Sequence, residues 1–188
     1  EFHIEALVKA GVQEIVINHA WLGEQIETKL GTGRAYGAHI QYSAEGAQAL
    51  ETAGGIIQAL PLLGDKPFIL INADIWSDYP VQQLPVEPEG LAHLVLVDNP
   101  PHHPDGDFAL SDHQLSLNGQ PRLTYSGIGV YRPALFANLE PGVRPLAPLL
   151  RQAIAAGQVS AEHYRGQWLD IGTPQRLQQL DNQLRAES

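Results

Sequence analysis

Lys66-Pro67-Phe68-Ile69-Leu70-Ile71-Asn72-Ala73-Asp74-Ile75-Trp76-Ser77-Asp78 is the stretch on which the fold turns. The apolar run from Pro67 to Ile71 is too short for a free-standing helix, and its β-branched and aromatic residues suit a central strand buried on both faces. It stops abruptly at Asn72 and Asp74. In open parallel sheets ligands collect beyond the carboxyl ends of the strands, so we read Asp74 as a metal ligand placed where chemistry occurs. Asn and Asp also serve simply to turn a chain. The functional reading gains from a second stretch, Trp168-Leu169-Asp170-Ile171-Gly172-Thr173-Pro174, which again delivers an aspartate just before a helix.

Composition narrows the chemistry. At 188 residues the chain is expected to form one domain with a real core. Apolar residues at 44% against charged residues at 17% are globular proportions and exclude disorder. No apolar run could cross a bilayer, and Glu1-Phe2-His3 lacks the basic start of a secretory signal, which predicts a soluble, cytoplasmic protein away from membranes. Without cysteine there is no thiolate site, so a metal would be a hard cation on oxygen or a His-ligated ion. A net charge of −10, with 11 Lys and Arg against 21 acids, argues against nucleic acid as a partner. Methionine is absent even at position 1, and the chain opens inside an amphipathic pattern. We therefore expect that residues before Glu1 have been lost.

Taken in order, the chain reads as alternating helices and strands. A helix over Ile4 to Ala10 stops at Gly11, Glu14 to Asn18 is a short buried strand, Trp21 to Leu30 is helical, and His39 to Tyr42 is a strand. The glycines of Gly31 to Gly37 lack a Gly-Lys-Ser/Thr ending and a third glycine at fixed spacing, so they close a helix rather than cradle phosphate. Leu50-Glu51-Thr52-Ala53-Gly54-Gly55 opens a helix that Thr52 can cap and Pro61 breaks. Two glycines in its first turn cost about 1 kcal/mol each, which close approach of a ligand or another backbone would justify. Ala92 to Val97 is the next strand, and the series makes a parallel three-layer α/β sheet the economical choice. His102 and His103 lie adjacent in a Pro-flanked loop, where neighbours rarely point the same way, so zinc is not expected there. Phe108 to Leu110, Leu115 to Leu117 and Leu123 to Tyr131 read as inserted antiparallel strands, with Asn118-Gly119 as a hairpin turn. Helices follow at Pro133 to Leu139 and Pro148 to Ala156, a strand at Val159 to Tyr164, and a terminal helix from Thr173 and Pro174.

With Asn72-Ala73-Asp74 closing a strand and Trp168-Leu169-Asp170-Ile171-Gly172-Thr173-Pro174 before the last helix, the chain resembles the sugar-1-phosphate nucleotidylyltransferase family. Within it the likeness is to the N-acetylmuramate 1-phosphate uridylyltransferases of bacterial cell-wall recycling. That likeness rests on Tyr42-Ser43-Ala44-Glu45, on the Leu50 to Gly55 run, on Ala92 to Pro100, on Gly106-Asp107-Phe108, and on Leu123 to Tyr131. The resemblance implies a Rossmann-like three-layer α/β/α nucleotidyltransferase fold with a small antiparallel insertion. It also implies a reaction in which a sugar phosphate oxygen attacks the α-phosphorus of UTP and pyrophosphate leaves, aided by Mg²⁺. Asp74 and Asp170 would hold that ion. By the same likeness Glu45, Glu51, Thr52 and Gly55 would line the nucleotide side, and Asp107, Thr124, Ser126 and Gly127 the sugar side.

The chain departs from the family in two respects. The family's Gly-rich phosphate loop and first strand do not occur in it, which implies an N-terminally truncated domain with little turnover by itself and an exposed sheet edge through which a homodimer could form. Ala73 stands where glycine is usual, and Ser111 to Arg122 has no Glu-Lys-Pro motif. Two other readings compete: a nucleotide-sugar-binding domain without turnover, or a member using another base or sugar. A haloacid-dehalogenase-like phosphatase would need a second aspartate at position 76, where Trp76 stands.

Overall fold

A computed structural model describes residues 1–187. Helix α1 (Phe2–Lys9) carries Glu5 in its first turn and Lys9 in its last, each sign opposite to the nearby end of the helix dipole. Strand β1 (Glu14–His19) leads to α2 (Gly23–Leu30) and β2 (His39–Ala44), which lies parallel to β1 in register from Glu14↔His39 to His19↔Ala44. Helix α2 begins two residues later than the sequence suggests, after Leu22, which takes left-handed backbone at φ 57. The Gly31–Gly37 loop closes α2, as expected, around a single 3₁₀ turn at Arg34–Tyr36.

Helix α3 (Glu51–Leu63) continues two residues beyond Pro61. Proline in the last turn forfeits one intrahelical bond but cannot stop a helix that is ending anyway, and Gly64 at φ 76 terminates it. The remaining elements are β3 (Phe68–Ile71), β4 (Ile75–Ser77), β5 (Ala92–Val97), β6 (Phe108–Ser111), β7 (Gln114–Ser116), β8 (Arg122–Tyr131), α4 (Leu146–Ala155), β9 (Val159–His163), β10 (Trp168–Asp170) and α5 (Pro174–Glu187). Pro133–Phe136 forms only a 3₁₀ turn where a helix was expected.

The main sheet has the order β3-β8-β5-β9-β7-β6, while β1–β2 and β4–β10 form separate two-stranded pieces. The expected parallel frame with antiparallel strands is present, but one of the antiparallel strands lies inside the main sheet rather than in a separate insertion. Strands β3, β5 and β9 run the same way, but β8 lies between β3 and β5 and is antiparallel to both. Strand β8 is ten residues long, so its start also pairs with β6 (Phe108↔Leu123) while its end joins the main frame. Strand β3 stands at the end of the order rather than at its centre, and its half-buried side chains pack on both faces, Phe68 and Leu70 against one core and Ile69 and Ile71 against the other. Asn118-Gly119 is not the hairpin turn. Ser111 pairs with Gln114, and Asp112 and His113, both at positive φ, make the two-residue hairpin.

The sheet carries a core on each face. One, with α3 and α4, gathers Ile56, Leu94, Leu96, Tyr131, Phe136 and Leu150. The other gathers Ile75, Tyr79, Val95, Ile128 and Val130, with Ala6 and Leu7 of α1 packed against it. Ile4 and Val8 of α1 meet Ile40 and Ile15 of the β1–β2 pair, so α1 packs both pieces of sheet together. Side chains such as Leu94 and Leu96, with no exposure, each contribute about 2 kcal/mol by burial.

Candidate active site

Asn72 to Asp74 form the link between β3 and β4, and they inherit their position from both strands. The Asn72 N–H donates to the Gly127 carbonyl (2.9 Å), which ties the end of β3 to β8. Strand β4 then pairs antiparallel with β10, with Ile75 opposite Asp170, and the Ile171 N–H donates to the Asp74 carbonyl at 2.8 Å. Two residues 96 positions apart are thus neighbours across the end of one short ribbon. A Cβ placed on Gly172 would lie 3.2 Å from Asp170 Oδ1 and 3.4 Å from Asp74 Oδ2, so both carboxylates face the same small space.

The two carboxylates differ in their partners. Asp170 Oδ1 accepts the Gly172 N–H (2.9 Å), and its Oδ2 accepts Arg176 Nη1 (2.7 Å) and meets His102 Nε2 (3.0 Å). The Gly172 N–H first, then Arg176 and His102, hold the Asp170 carboxyl below the usual carboxylate range against the opposing effect of partial burial. Asp74 is exposed and accepts no side-chain hydrogen bond among the described residues. Among the described residues no three His, Cys, Asp or Glu side chains form a cluster able to hold a metal. Two carboxylate oxygens converging on one point, with the remaining positions left to water and substrate phosphates, fit Mg²⁺, which is commonly held in that way.

A cavity of about 270 Å³ is lined by Glu51, Thr52, Asn72, Asp107 and Tyr125, together with residues 145–147 and 150. It brings Glu51 and Thr52, expected on the nucleotide side, into one hollow with Asp107, expected on the sugar side. Asp107 is braced on every side: Oδ2 accepts the Tyr125 N–H (2.8 Å), Oδ1 meets His103 Nε2 (3.2 Å), and its carbonyl accepts Arg122. A larger cavity of about 490 Å³ opens at the opposite ends of β5 and β9, around Glu89, Gly90, Gln158 and Ser160, and neither cavity is lined by Asp74 or Asp170.

Several residues sit differently from the reading of the sequence. Glu45 accepts Asn18 Nδ2 at 2.6 Å and the Leu50 N–H at 2.7 Å, so it pins the approach to α3, and Gly55 leaves room for it. Thr52 does not cap α3; Leu50 occupies that position and no side chain caps it. The α3 amides of Ala53 and Gly54 already donate to the Arg144 carbonyl, so another backbone, rather than an anion, answers the glycines. Thr124 donates to Asn99 Oδ1 (2.9 Å) and Ser126 to the Val95 carbonyl (2.7 Å); both are buried, so these hydroxyls face the protein rather than a ligand. Gly127, at φ +82, accommodates Asn72, which a Cβ would meet at 2.9 Å. His102 and His103 diverge as expected, one to Asp170 and the other to Asp107. The partners that sequence reasoning missed are Arg176, His102 and Gly172. Only Arg176, in the first turn after the second aspartate, carried a signal.

The fold thus sets two aspartates side by side at the ends of β3 and β10, and the start of α3 walls a cavity that Asn72 also lines. The family model described as nucleotidyl transferase matches residues 1–108, and the chain belongs to that family. It is similar to the N-acetylmuramate alpha-1-phosphate uridylyltransferase of Neisseria meningitidis serogroup B, with 51% identity covering 95% of this chain and 81% of that one. The protein of the same name from Caulobacter vibrioides is 30% identical, covering 92% of this chain and 78% of that one. Among solved structures, the inositol-1-phosphate CTP transferase from T. maritima superposes with a TM-score of 0.77 at 17% identity, covering 98% of this chain and 80% of the other. No helix of the described residues is long and apolar enough to cross a membrane.

Proposed function

We propose that this enzyme transfers the uridylyl group of UTP to N-acetylmuramate 1-phosphate, forming UDP-N-acetylmuramate and pyrophosphate, in cell-wall recycling. A phosphate oxygen of the sugar phosphate forms a bond to the α-phosphorus of UTP, and the bond from that phosphorus to the bridging oxygen of pyrophosphate breaks. Asp74 and Asp170 would hold Mg²⁺, which supplies neutralisation of phosphate charge when bound. The chain's own work is placement. Asp107, held by the Tyr125 N–H and His103, presents a fixed acceptor to sugar hydroxyls, and Glu51 and Thr52 close the same hollow from the start of α3. Glu45, Gly55, Thr124, Ser126 and Gly127 support that hollow by fixing the loops and strands around it.

The observation that carries this reading is the meeting of Asp74 and Asp170 around Gly172. The sugar and base come from the relative that is 51% identical. Calorimetry with UDP-N-acetylmuramate and Mg²⁺ tests binding, and pyrophosphate release from UTP and N-acetylmuramate 1-phosphate tests turnover. UDP-N-acetylmuramate is expected to bind more tightly than UDP-N-acetylglucosamine, and Asp74→Asn or Asp170→Asn to reduce Mg²⁺-dependent turnover by about 10²-fold or more. Full Mg²⁺-dependent activity in either variant would sink the two-carboxylate assignment. Tighter binding of another nucleotide-sugar would move the substrate assignment to that compound.

A further inference from the structure

Asp170 already has a cation beside it, the Arg176 guanidinium. A carboxylate offers about four lone-pair sites. Arg176 and His102 occupy Oδ2, and the Gly172 N–H takes one site on Oδ1. What remains open is the part of Oδ1 that shares the space beside Gly172 with Asp74 Oδ2. Arg176 reaches Asp170 from α5, six residues further along, and its own backbone N–H is held by Thr173 Oγ1 at 3.3 Å. The Arg176 side chain is about one-third exposed, so it can leave the pair toward another anion without unpacking the core.

We propose that Arg176 is a resident counter-cation of Asp170. It competes with free divalent metal, so that the ion loads well only in company with anionic phosphates able to draw the guanidinium away. This rests on the metal assignment made under the proposed function. The two aspartates present two negative charges, and Arg176 cancels one of them 2.7 Å from the carboxylate oxygen. A lone dication therefore meets a half-neutralised site, whereas a phosphate-bound ion brings its own anion for Arg176. Arg176 acts here through Asp170, as a positioning and charge-balancing residue.

The test is Mn²⁺ binding in the absence of nucleotide, followed by electron paramagnetic resonance of the free ion. Removing one positive charge beside a divalent site is expected to tighten binding roughly three- to tenfold at moderate salt, so Arg176→Gln should bind Mn²⁺ better than the wild type. Arg176→Lys keeps the charge and should stay near wild-type affinity. Equal or weaker binding by Arg176→Gln, including no binding by either protein, overturns the proposal. Asp74→Asn separates the two ideas, because Mn²⁺ binding that survives this substitution would put the ion elsewhere and bring down the metal assignment itself.

Discussion

Gly172 provides the room that both aspartates need. Its φ lies outside the left-handed region, so alanine could adopt its backbone conformation; what alanine would change is the space. A methyl group there would sit 3.2 Å from Asp170 Oδ1 and 3.4 Å from Asp74 Oδ2, in the space that the proposed ion would need. Gly172→Ala is therefore expected to lower Mg²⁺-dependent turnover at least tenfold, while the thermal midpoint moves by no more than a degree or two because the position is exposed. A large fall in the midpoint with retained Mg²⁺ response would show that the glycine serves folding instead. The two aspartates were legible because each follows a recognisable strand and precedes a break. Their partners were not, since Gly172 reads as an ordinary turn residue and His102 is 68 positions from the carboxylate it meets. Thr124 and Ser126 misled for a related reason: a strand's alternation says that neighbours face opposite ways, but not which face is the ligand's.

Helix α3 shows what a costly local sequence can be for. Its first turn holds Gly54, where a Cβ would come within 2.3 Å of the Gly142 carbonyl oxygen, and Gly55, where it would meet Glu45 Oε1 at 2.5 Å and Asn18 Nδ2 at 2.6 Å. Glycine lets the segment around Gly142 to Arg144 lie on the helix and supply a carbonyl to the Ala53 and Gly54 amides. Gly54→Ala gains helix propensity of about 1 kcal/mol, yet it must push a backbone oxygen aside, and overpacking of this kind costs about 1–3 kcal/mol. The net expectation is a loss of up to about 2 kcal/mol, seen as a lower urea midpoint with an unchanged slope. Equal or greater stability would mean that the loop yields freely. The helix itself was legible from periodicity. Close approach of another backbone was one of the two reasons the sequence suggested for the glycines; which backbone was not legible, because Arg144 lies far downstream in sequence. The same distance problem hid the place of β8, expected as an antiparallel strand of an insertion although it lies between β3 and β5 in the main sheet.

At the scale of the whole molecule, the fold class was readable because short apolar strands alternate with helical patterns, and strand order was not because it depends on pairings far apart in sequence. The packing that results leaves two histidines where charge is unwelcome. His93 on β5 touches Ser160 Oγ (2.9 Å), and its other nitrogen lies 3.6 Å from Glu162, which also accepts the Tyr79 hydroxyl. Burial pushes the His93 imidazole below its ordinary value, with Glu162 and Glu89 only partly offsetting it and His113 adding to the fall. His3 on α1, bonded to the Ile75 carbonyl at 2.9 Å, is lowered chiefly by burial as well. In both cases the unfolded chain takes up a proton at a higher pH than the folded one. Stability therefore rises with pH through the histidine range, and acidification favours the unfolded state. The urea midpoint is expected to fall between pH 7.5 and 5.5, before any carboxylate with a lowered value begins to protonate. Replacing His93 with glutamine removes one of the two groups, so the fall should become smaller. A midpoint that stays level across that window, or falls equally in wild type and His93→Gln, would mean that water reaches these rings and that β5 is less tightly covered by the Tyr79 segment than its burial indicates.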